Sequence, residues 1–336
     1  ITVGINGELS VLNAGSTAHN ISLYGNLTNN GTVNLNQASD VNILFTGDVS
    51  KSITGTNAAA TTSLSKITVN KGNSAATLLN VDVQGTLIAP TNNWLTLTNG
   101  TFRLSKSATI TLTDLASTDF LVPATSALSL NHVGAVVNTC MANDNATDFI
   151  LAGKLEILNG TMNIGNQVNN VHNDLEYAAS EVPVLLIQGS GTLNVNGQIR
   201  RSVSVLLGSL DYTQKNNSTV LVRGKNQESA SSFNLNRAKF EVLNPGSQFT
   251  MQDNALLIID RNGLASGGFG DFYLNPSSYA VTGGEIRFGT SDTPPSASES
   301  TFLINTSTPF WNLTVDGTTT NKTARLTSDA ATIKSN

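Results

Sequence analysis

The chain has 336 residues and a formal net charge of -5, and only 12% of its residues are charged. This mild negative charge, without a basic stripe, argues against a nucleic-acid binder. No apolar run approaches the roughly 18 residues that a membrane span needs. The regular recurrence of Leu, Val, Ile and Phe argues against disorder. Cys140 is the single cysteine, so no internal disulfide forms, and its apolar neighbours predict a small buried side chain.

Short strands in which apolar and polar residues alternate dominate the chain from its start. Clear examples lie at residues 21–35, 155–164, 193–199 and 240–251. A period of two is typical of half-buried β-strands. Helical periodicity is nearly absent, and only residues 169–182 are predicted to hold a helical turn.

Glycines that follow Asn, Asp, Gln or Pro separate these strands at regular intervals. Glycine tolerates the positive φ that tight turns demand. The triplet Asn-Gly-Thr occurs three times, and we interpret it as a corner of the fold rather than a glycan acceptor. Its glycines, Gly31, Gly100 and Gly160, are expected at strand boundaries. The full set of predicted structural turns is Gly31, Gly85, Gly100, Gly160, Gly197, Gly246 and Gly317.

Antiparallel sandwiches, propellers and parallel β-solenoids all show short alternating strands. Sandwiches carry longer strands and more aromatic residues than the 6% found here, and no blade-length repeat indicates a propeller. Stacked Asn, Ser and Thr side chains favour a solenoid, because their amides form ladders between coils. We therefore predict an all-β fold, a parallel β-helix (β-solenoid) forming a single domain over residues 1–336. At about 20 to 25 residues per coil it has about 14 coils with loop insertions, and a length of roughly 65 Å.

A longer similarity relates two distant segments. Residues 65–87 resemble residues 311–336, and the start of the chain reads like the continuation that the second copy lacks. The chain is therefore expected to be an internal segment of a longer repetitive protein. Polar segments of weaker pattern are expected to bulge from the solenoid as loops at residues 54–63, 138–148, around His172, 223–232 and 289–300.

A search for catalytic residues identifies no convincing set. The closest acidic grouping in the second half is Asp253, Asp260 and Asp271, and its spacing does not by itself stack the three on one face. We interpret these residues as solvated surface charge, and predict no catalytic residue and no enzyme activity. The histidines, which are expected to lie singly in loops, are His19, His132 and His172.

The chain also contains residues that could bind a metal ion or a sugar. Residues 267–272 resemble part of a calcium-binding nonapeptide coil, and residues 143–148 offer several oxygen ligands. Both matches are incomplete, so no cofactor or metal ligand is predicted, although Ca²⁺ stays open. Trp94, Trp311 and the five tyrosines are able to stack on sugar rings. For Trp311, which follows Phe310 beside an alternating strand, a core or coil-capping position is the preferred interpretation.

The phrases FWNLTVDG, GNLTNNGTVNL and GTLNVNGQI, in an Asn/Thr-rich chain, resemble repetitive regions of very large cell-surface proteins of the Bacteroidota. This resemblance implies export by the type IX secretion route and a role as an adhesin or surface fibre. It implies no functional residues, since those repeats carry no catalytic motif.

The sequence therefore predicts an extracellular structural or adhesive module at a bacterial cell surface, forming a stiff stalk or fibre segment. Its expected partners are neighbouring repeats or subunits of the same protein and surface glycans, with no nucleic acid and no membrane insertion. The alternative is a carbohydrate-binding or polysaccharide-cleaving parallel β-helix.

Overall fold

The structure is a computed structural model, and its regular elements confirm the all-β prediction. The described residues are 1–11, 18–37, 41–113, 118–144, 146–178, 181–202, 207–223, 238–262, 270–295, 300–327 and 332–334. Within them lie 30 β-strands, numbered β1 to β30 in chain order. The helical turn predicted in residues 169–182 is wrong for the described part, which holds short turns and strand β18 (Leu175–Tyr177).

The chain winds as a parallel β-solenoid whose turns each visit three faces in the same order. The first face contains β1 (Thr2–Val3), β4 (Leu27–Asn29), β7 (Lys51–Gly55), β10 (Leu78–Val83), β19 (Val184–Ile187) and β22 (Asp211–Gln214). The second contains β2 (Glu8–Ser10), β5 (Thr32–Asn34), β8 (Thr61–Ser63), β11 (Thr86–Ile88), β13 (Thr109–Thr111), β20 (Thr192–Val195), β23 (Thr219–Val222), β25 (Leu256–Ile259), β27 (Glu285–Phe288) and β29 (Asn312–Val315). The third contains β3 (His19–Leu23), β6 (Val41–Gly47), β9 (Lys66–Lys71), β14 (Phe120–Val122), β16 (Phe149–Leu151), β18, β21 (Ile199–Arg201), β28 (Thr301–Thr306) and β30 (Thr323–Leu326).

Five long strands bend around a corner and so belong to two faces each. β15 (Ser126–Thr139) and β17 (Lys154–Ile164) pass from the first face to the second. β12 (Leu95–Leu104), β24 (Phe240–Met251) and β26 (Phe272–Val281) pass from the third face to the first.

One inward position of the first face recurs once per turn and defines what we call the apolar column. It shows about ten turns, not the predicted number of about 14. Successive members lie 23 residues apart at Val81 and Leu104, and 37 apart at Gln214 and Met251. The predicted number was too high because the corners hold more residues than a short coil allows. The column consists of Leu27, Ile53, Val81, Leu104, Leu130, Ile157, Ile187, Gln214, Met251 and Val281.

The interior is a narrow apolar core that runs along the axis. Aromatic rings stack between turns in the middle and later coils, with ring centroids 5.7 Å apart for Phe120 and Phe149 and 5.5 Å apart for Phe240 and Phe272. Trp94 and Cys140 lie in this core, each only 1% exposed. Burial raises the pKa of the Cys140 thiol to about 11, so that this thiol stays protonated and unreactive at neutral pH.

Side-chain amides form the ladders that the Asn-rich sequence predicts. On the outer side of the second face, Asn163 donates its Nδ2 to Asn138 Oδ1 at 2.8 Å, and Asn194 donates to Asn163 Oδ1 at 2.8 Å. On the third face, Asn99 donates to Asn70 over 2.8 Å. These bonds add to the backbone hydrogen bonds that join successive turns.

The predicted glycine turns divide into two groups. The first group lies between strands or beyond a strand end, and comprises Gly31, Gly85, Gly197 and Gly317. Gly100, Gly160 and Gly246 lie inside β12, β17 and β24, so the prediction of strand boundaries for Gly100 and Gly160, and of a turn between strands for Gly246, is wrong.

The physical reason is that these strands continue through a corner. Gly160 bends β17 with a φ of 95°, and a Cβ there would lie 2.6 Å from the carbonyl oxygen of His132 on the preceding turn. Glycine accepts this conformation and close approach without strain. The backbone therefore changes direction while hydrogen bonding to its neighbour on both sides of the bend.

Candidate functional site

A second recurring position, immediately before the third-face strands, holds five ionisable side chains and one glutamine. We call this stack the ionisable column. The strands that follow its members pair in register from β14 through β16, β18, β21 and β24 to β26. Its members are Asp119, Asp148, Asp174, Gln198, Lys239 and Asp271. The solenoid thus stacks residues that are far apart in sequence.

The carboxylates of this column bind the backbone of the following turn. Asp119 Oδ1 accepts the N–H of Asp148 at 2.9 Å, and Asp148 Oδ1 accepts the N–H of Asp174 at 2.7 Å. Asp174 continues the pattern toward the N–H of Gln198 at 2.6 Å. Buried backbone N–H groups need an acceptor, so these aspartates have a structural role.

An arginine compensates part of the accumulated negative charge. Arg200 is fully buried, and its Nη2 lies 2.8 Å from Asp174 Oδ2 and 3.0 Å from Glu176 Oε1. Carboxyl oxygens of Asp148, Asp174 and Glu176 all lie within 4.8 Å of one another. Breaking such a buried ion pair is costly, because the remaining charge then has no counterion.

Two groups of the column have strongly shifted pKa values. Burial, with the charges of Asp174 and Glu176, raises the pKa of Asp148 to about 8, so its carboxyl carries a proton at neutral pH. Burial lowers the pKa of Lys239 to about 8, although Asp174 and Asp271 oppose this change. The Nζ atom of Lys239 is buried and has no hydrogen-bond partner among the described residues. At neutral pH the column therefore carries one carboxyl group fewer in the charged form, because Asp148 holds a proton.

The three close carboxyl groups are the natural candidates for a metal site. Asp174, however, already uses one oxygen for a backbone N–H and the other for Arg200. A divalent cation would have to displace the guanidinium, which the same oxygens hold. This donor set therefore fits an internal ion-pair network better than a cation site.

Next to this column, Arg201 and Glu241 form another buried pair. Arg201 Nε lies 2.7 Å from Glu241 Oε1, and its Nη2 lies 3.2 Å from Oε2. This two-point geometry matches the planar guanidinium to the carboxylate. The Tyr177 hydroxyl adds a 3.2 Å hydrogen bond to the Glu241 carbonyl. These contacts join three strands of the third face, β18, β21 and β24, through buried polar side chains.

The acidic group considered in the sequence does not form a site. Asp260 and Asp271 are only 1% and 2% exposed, so the interpretation as solvated surface charge is wrong for both. Asp260 accepts hydrogen bonds from Thr290 and Thr293, while Asp271 accepts the N–H of Leu303 at 2.6 Å. Asp253 lies apart from them and accepts a hydrogen bond from the N–H of Asn216.

His172 is also more buried than predicted. Its side chain is 7% exposed, and its Nδ1 lies 2.9 Å from Asp144 Oδ1, so it is not an isolated loop residue. Burial lowers the pKa of this histidine, while the hydrogen bond to Asp144 opposes the shift. The imidazole is therefore a packed residue that links two neighbouring turns.

Both calcium candidates are engaged in other contacts where the structure describes them. In residues 143–148, Asp144 contacts His172 and Asp148 belongs to the ionisable column, while residue 145 lies outside the described residues. In residues 267–272, Asp271 binds the backbone of Leu303, and residues 267–269 lie outside the described residues.

A separate cavity opens beside the amide ladder, where the second face turns toward the third. Its volume is about 280 Å³. Polar side chains of Asn163, Gln167, Asn194, Asn196 and Arg223 line it, together with the apolar side chains of Met141, Ile164 and Val168. The alternating pattern alone could not reveal this cavity, because its residues come from four successive turns.

The ionisable column was also missed, although a weak signal exists in the sequence. An aspartate or lysine directly precedes an aromatic residue at Asp119, Asp148, Lys239 and Asp271. The aromatic residue starts a third-face strand in each case, which places the charged residue at the corner. The unequal spacing of these pairs hides the repeat from any search for a fixed period.

No family model, curated protein or solved structure matches this chain. The resemblance to Bacteroidota surface proteins therefore stays a prediction. Among the described residues, no helix has the length and apolar character of a membrane span.

Proposed function

We propose that this chain is a structural module, a stiff segment of a stalk or fibre in a large extracellular protein of a bacterial surface. The observation that carries the proposal is the apolar column, which continues in register through ten residues, one on each turn. Parallel hydrogen bonding along three faces accompanies it. Bending such a body disturbs many backbone bonds and a close-packed core together.

The two ends of the solenoid support a role in a longer assembly. Apolar side chains are exposed at the first turn, with Ile5 71% exposed, and at the last, with Val315, Leu326 and Ile333 exposed by 39%, 50% and 54%. Exposed apolar surface favours further association. Neighbouring repeats or subunits of the same protein are the proposed partners.

The mechanical part of the proposal is tested by pulling on single molecules. A polyprotein that alternates this chain with a marker domain of known unfolding force is stretched by atomic force microscopy. We expect the chain to resist extension in discrete steps, since a stack of turns yields turn by turn. Extension without a resolved force peak would contradict a load-bearing module.

Localisation needs its own test, because a stiff rod also occurs in other settings. Antibodies against the purified chain are applied to intact and to lysed cells of the source organism. We expect labelling of intact cells, and removal of the signal by external protease. Labelling that appears only after lysis would contradict the surface role and leave the mechanical proposal standing.

A second candidate function is cleavage of a polysaccharide. It is favoured by the juxtaposition of Asp148, whose pKa is raised to about 8, with the carboxylate of Asp174. Many glycosidases use one protonated and one ionised carboxyl group. Asp174 is only 5% exposed and is paired with Arg200, which favours the structural role. Release of reducing ends from a polysaccharide panel, lost in Asp148→Asn, would establish the enzyme instead.

A further inference from the structure

We propose that the cavity beside the amide ladder is a binding site for an acidic sugar unit, that is, a sugar ring bearing a carboxylate. The proposal does not depend on the mechanical role of the rod. It rests on the composition of the cavity wall, on one underused arginine and on the size of the space.

Arg223 supplies the group that recognises the charge. Its side chain is 16% exposed, and its buried Nε has no hydrogen-bond partner among the described residues. The carboxylate of Asp292 lies 3.9 Å from Nη1, and its side chain is 57% exposed, so this ion pair is loose. A guanidinium binds a carboxylate through charge-assisted hydrogen bonds, and the exposed part of this side chain is the part that a ligand can reach.

Amide groups next to this arginine supply hydrogen bonds for hydroxyl groups. Asn194 donates its Nδ2 to Asn163, which leaves its Oδ1 to accept a bond from a ligand. Asn196 donates its Nδ2 to the carbonyl of Val171 and likewise keeps its Oδ1. Gln167 has an exposed side-chain amide at the rim. Hydroxyl groups both donate and accept, so a polyhydroxylated ring matches this wall.

The remaining wall is apolar, which suits the C–H face of a sugar ring. Met141 borders the cavity, and Val168 stands beside it with 90% of its surface exposed, whereas Ile164 is 1% exposed and belongs to the core behind the wall. The volume of about 280 Å³ lies near the lower end of the usual range for small-ligand sites. The space therefore suits one sugar unit, and longer chains would extend outward from it.

The charge of the wall argues for an anion rather than a cation. No Asp or Glu lines this cavity, and Arg223 is its one charged lining residue among the described residues. A ligand carboxylate forms charge-assisted hydrogen bonds with the exposed part of this guanidinium, which the hydroxyl groups of a neutral sugar do not match in strength. The preferred ligand class is therefore acidic, and a neutral sugar of the same shape serves as the control ligand that should bind more weakly.

The experiment compares two forms of one ligand. Trigalacturonate and its methyl ester share their rings and hydroxyl groups, but only the former carries carboxylates. Binding of each to the full chain is measured by isothermal titration calorimetry at low salt. We expect the acid to bind at least about tenfold more tightly than the ester, because a charged hydrogen bond contributes more than about 1.4 kcal/mol.

Variants locate the site. Arg223→Gln should weaken binding of the acid about tenfold or more, and Arg223→Lys should give an intermediate loss because it keeps the charge without the two-point geometry. Asn194→Ala should weaken both forms of the ligand equally. The matched control is Arg287→Gln, which removes a partly exposed guanidinium from the outer side of the second face, two turns beyond β23 and outside the cavity wall. Circular dichroism confirms that each variant stays folded.

Several results would overturn the proposal. These are the absence of binding at millimolar ligand, equal affinity for acid and ester, and an equal loss in Arg223→Gln and Arg287→Gln. Acetate binding at Arg223 as tightly as trigalacturonate would reduce the site to an anion contact and remove the sugar from the proposal. The pulling experiment is independent of each of these outcomes, so failure here and failure of the rod are distinguishable.

Discussion

The apolar column on the first face and the ionisable column before the third face are both stacks with one side chain per turn. In the apolar column, stacking puts residues such as Leu130 and Ile157 against each other, and both are fully buried. In the ionisable column, the same stacking puts Asp148 beneath Asp174. The first arrangement stabilises the fold directly, whereas the second brings like charges together.

The contrast between the two columns shows how a parallel stack accommodates polar residues. Like charges in adjacent turns repel, and the column offsets this by accepting backbone N–H groups, by holding Arg200 and by keeping Asp148 protonated. The apolar column contains one polar exception, Gln214, and its amide is hydrogen bonded throughout. Stacking therefore repeats the contacts of one position on every turn, whether they are favourable apolar contacts or repulsive contacts between like charges.

Removal of the buried arginine should have the largest effect. Arg200→Met leaves Asp174 and Glu176 buried without their shared counterion, so we expect the free energy of unfolding to fall by about 3–5 kcal/mol. Urea denaturation measures it. The control, Arg287→Met, breaks the half-exposed pair with Glu285 and should cost about 0–1 kcal/mol. Equal losses in the two variants would refute the distinction between the columns.

Truncation within the apolar column should come next. Ile157→Ala opens a cavity between Leu130 and Ile187, and is expected to lower the free energy of unfolding by about 2–5 kcal/mol. Val133→Ala removes a side chain that is 72% exposed, and should change stability by less than about 0.5 kcal/mol. A small loss for Ile157→Ala would mean that the column is not close-packed.

Substitution of Gln214, the polar member of the apolar column, should have a smaller effect on the free energy of unfolding. Gln214→Met gains apolar contact but orphans the Tyr212 hydroxyl and the Leu256 carbonyl, which the glutamine amide now satisfies at 2.7 Å and 2.9 Å. We expect a net loss of about 1–3 kcal/mol. Ile187→Met, one turn away, should lose less than about 1.5 kcal/mol. A more stable Gln214→Met would show that hydrophobic burial outweighs hydrogen bonding in this column.

The smallest effect at a single acidic pH is expected for Asp148→Asn, because the amide keeps the acceptor for the Asp174 N–H. The pH dependence is the informative quantity. The pKa of Asp148 is raised to about 8 by burial and by Asp174 and Glu176, from an ordinary value of 3.8. The folded chain therefore binds the extra proton between these values, and stability falls as the pH rises through that window.

Asp148→Asn should remove this contribution. Urea midpoints measured from about pH 5 to about pH 8 should decline less steeply in the variant than in the parent chain. Parallel slopes would mean that Asp148 ionises normally in the fold.

The alternating pattern predicted the solenoid well because each strand carries its own signal. In β17, Leu155 and Ile157 face the core before the corner, and Met162 and Ile164 face it afterwards. The glycine of the corner was also found, but its place inside a continuous strand was not. Hydrogen bonding to neighbouring turns, which no local pattern encodes, decides whether a strand ends there.

The ionisable column could not be predicted from the sequence pattern, because its members are unequally spaced along the chain. Asp174 and Gln198 are 24 residues apart, whereas Gln198 and Lys239 are 41 apart, and only the register of the turns makes all three neighbours. Charged residues at unequal spacing look like ordinary surface residues. The cavity at Arg223 is hidden in the same way, since residues of four turns form its wall.

The unequal length of the turns has a further consequence. Gln214 and Met251 stack directly although 37 residues separate them, while Val81 and Leu104 do so with 23. The register of the column is therefore kept although the number of residues per turn varies. Packing constrains the inward positions, whereas the length of chain between them is not fixed by the stack. For protein engineering, an insertion between strands can therefore leave the stack of inward side chains intact.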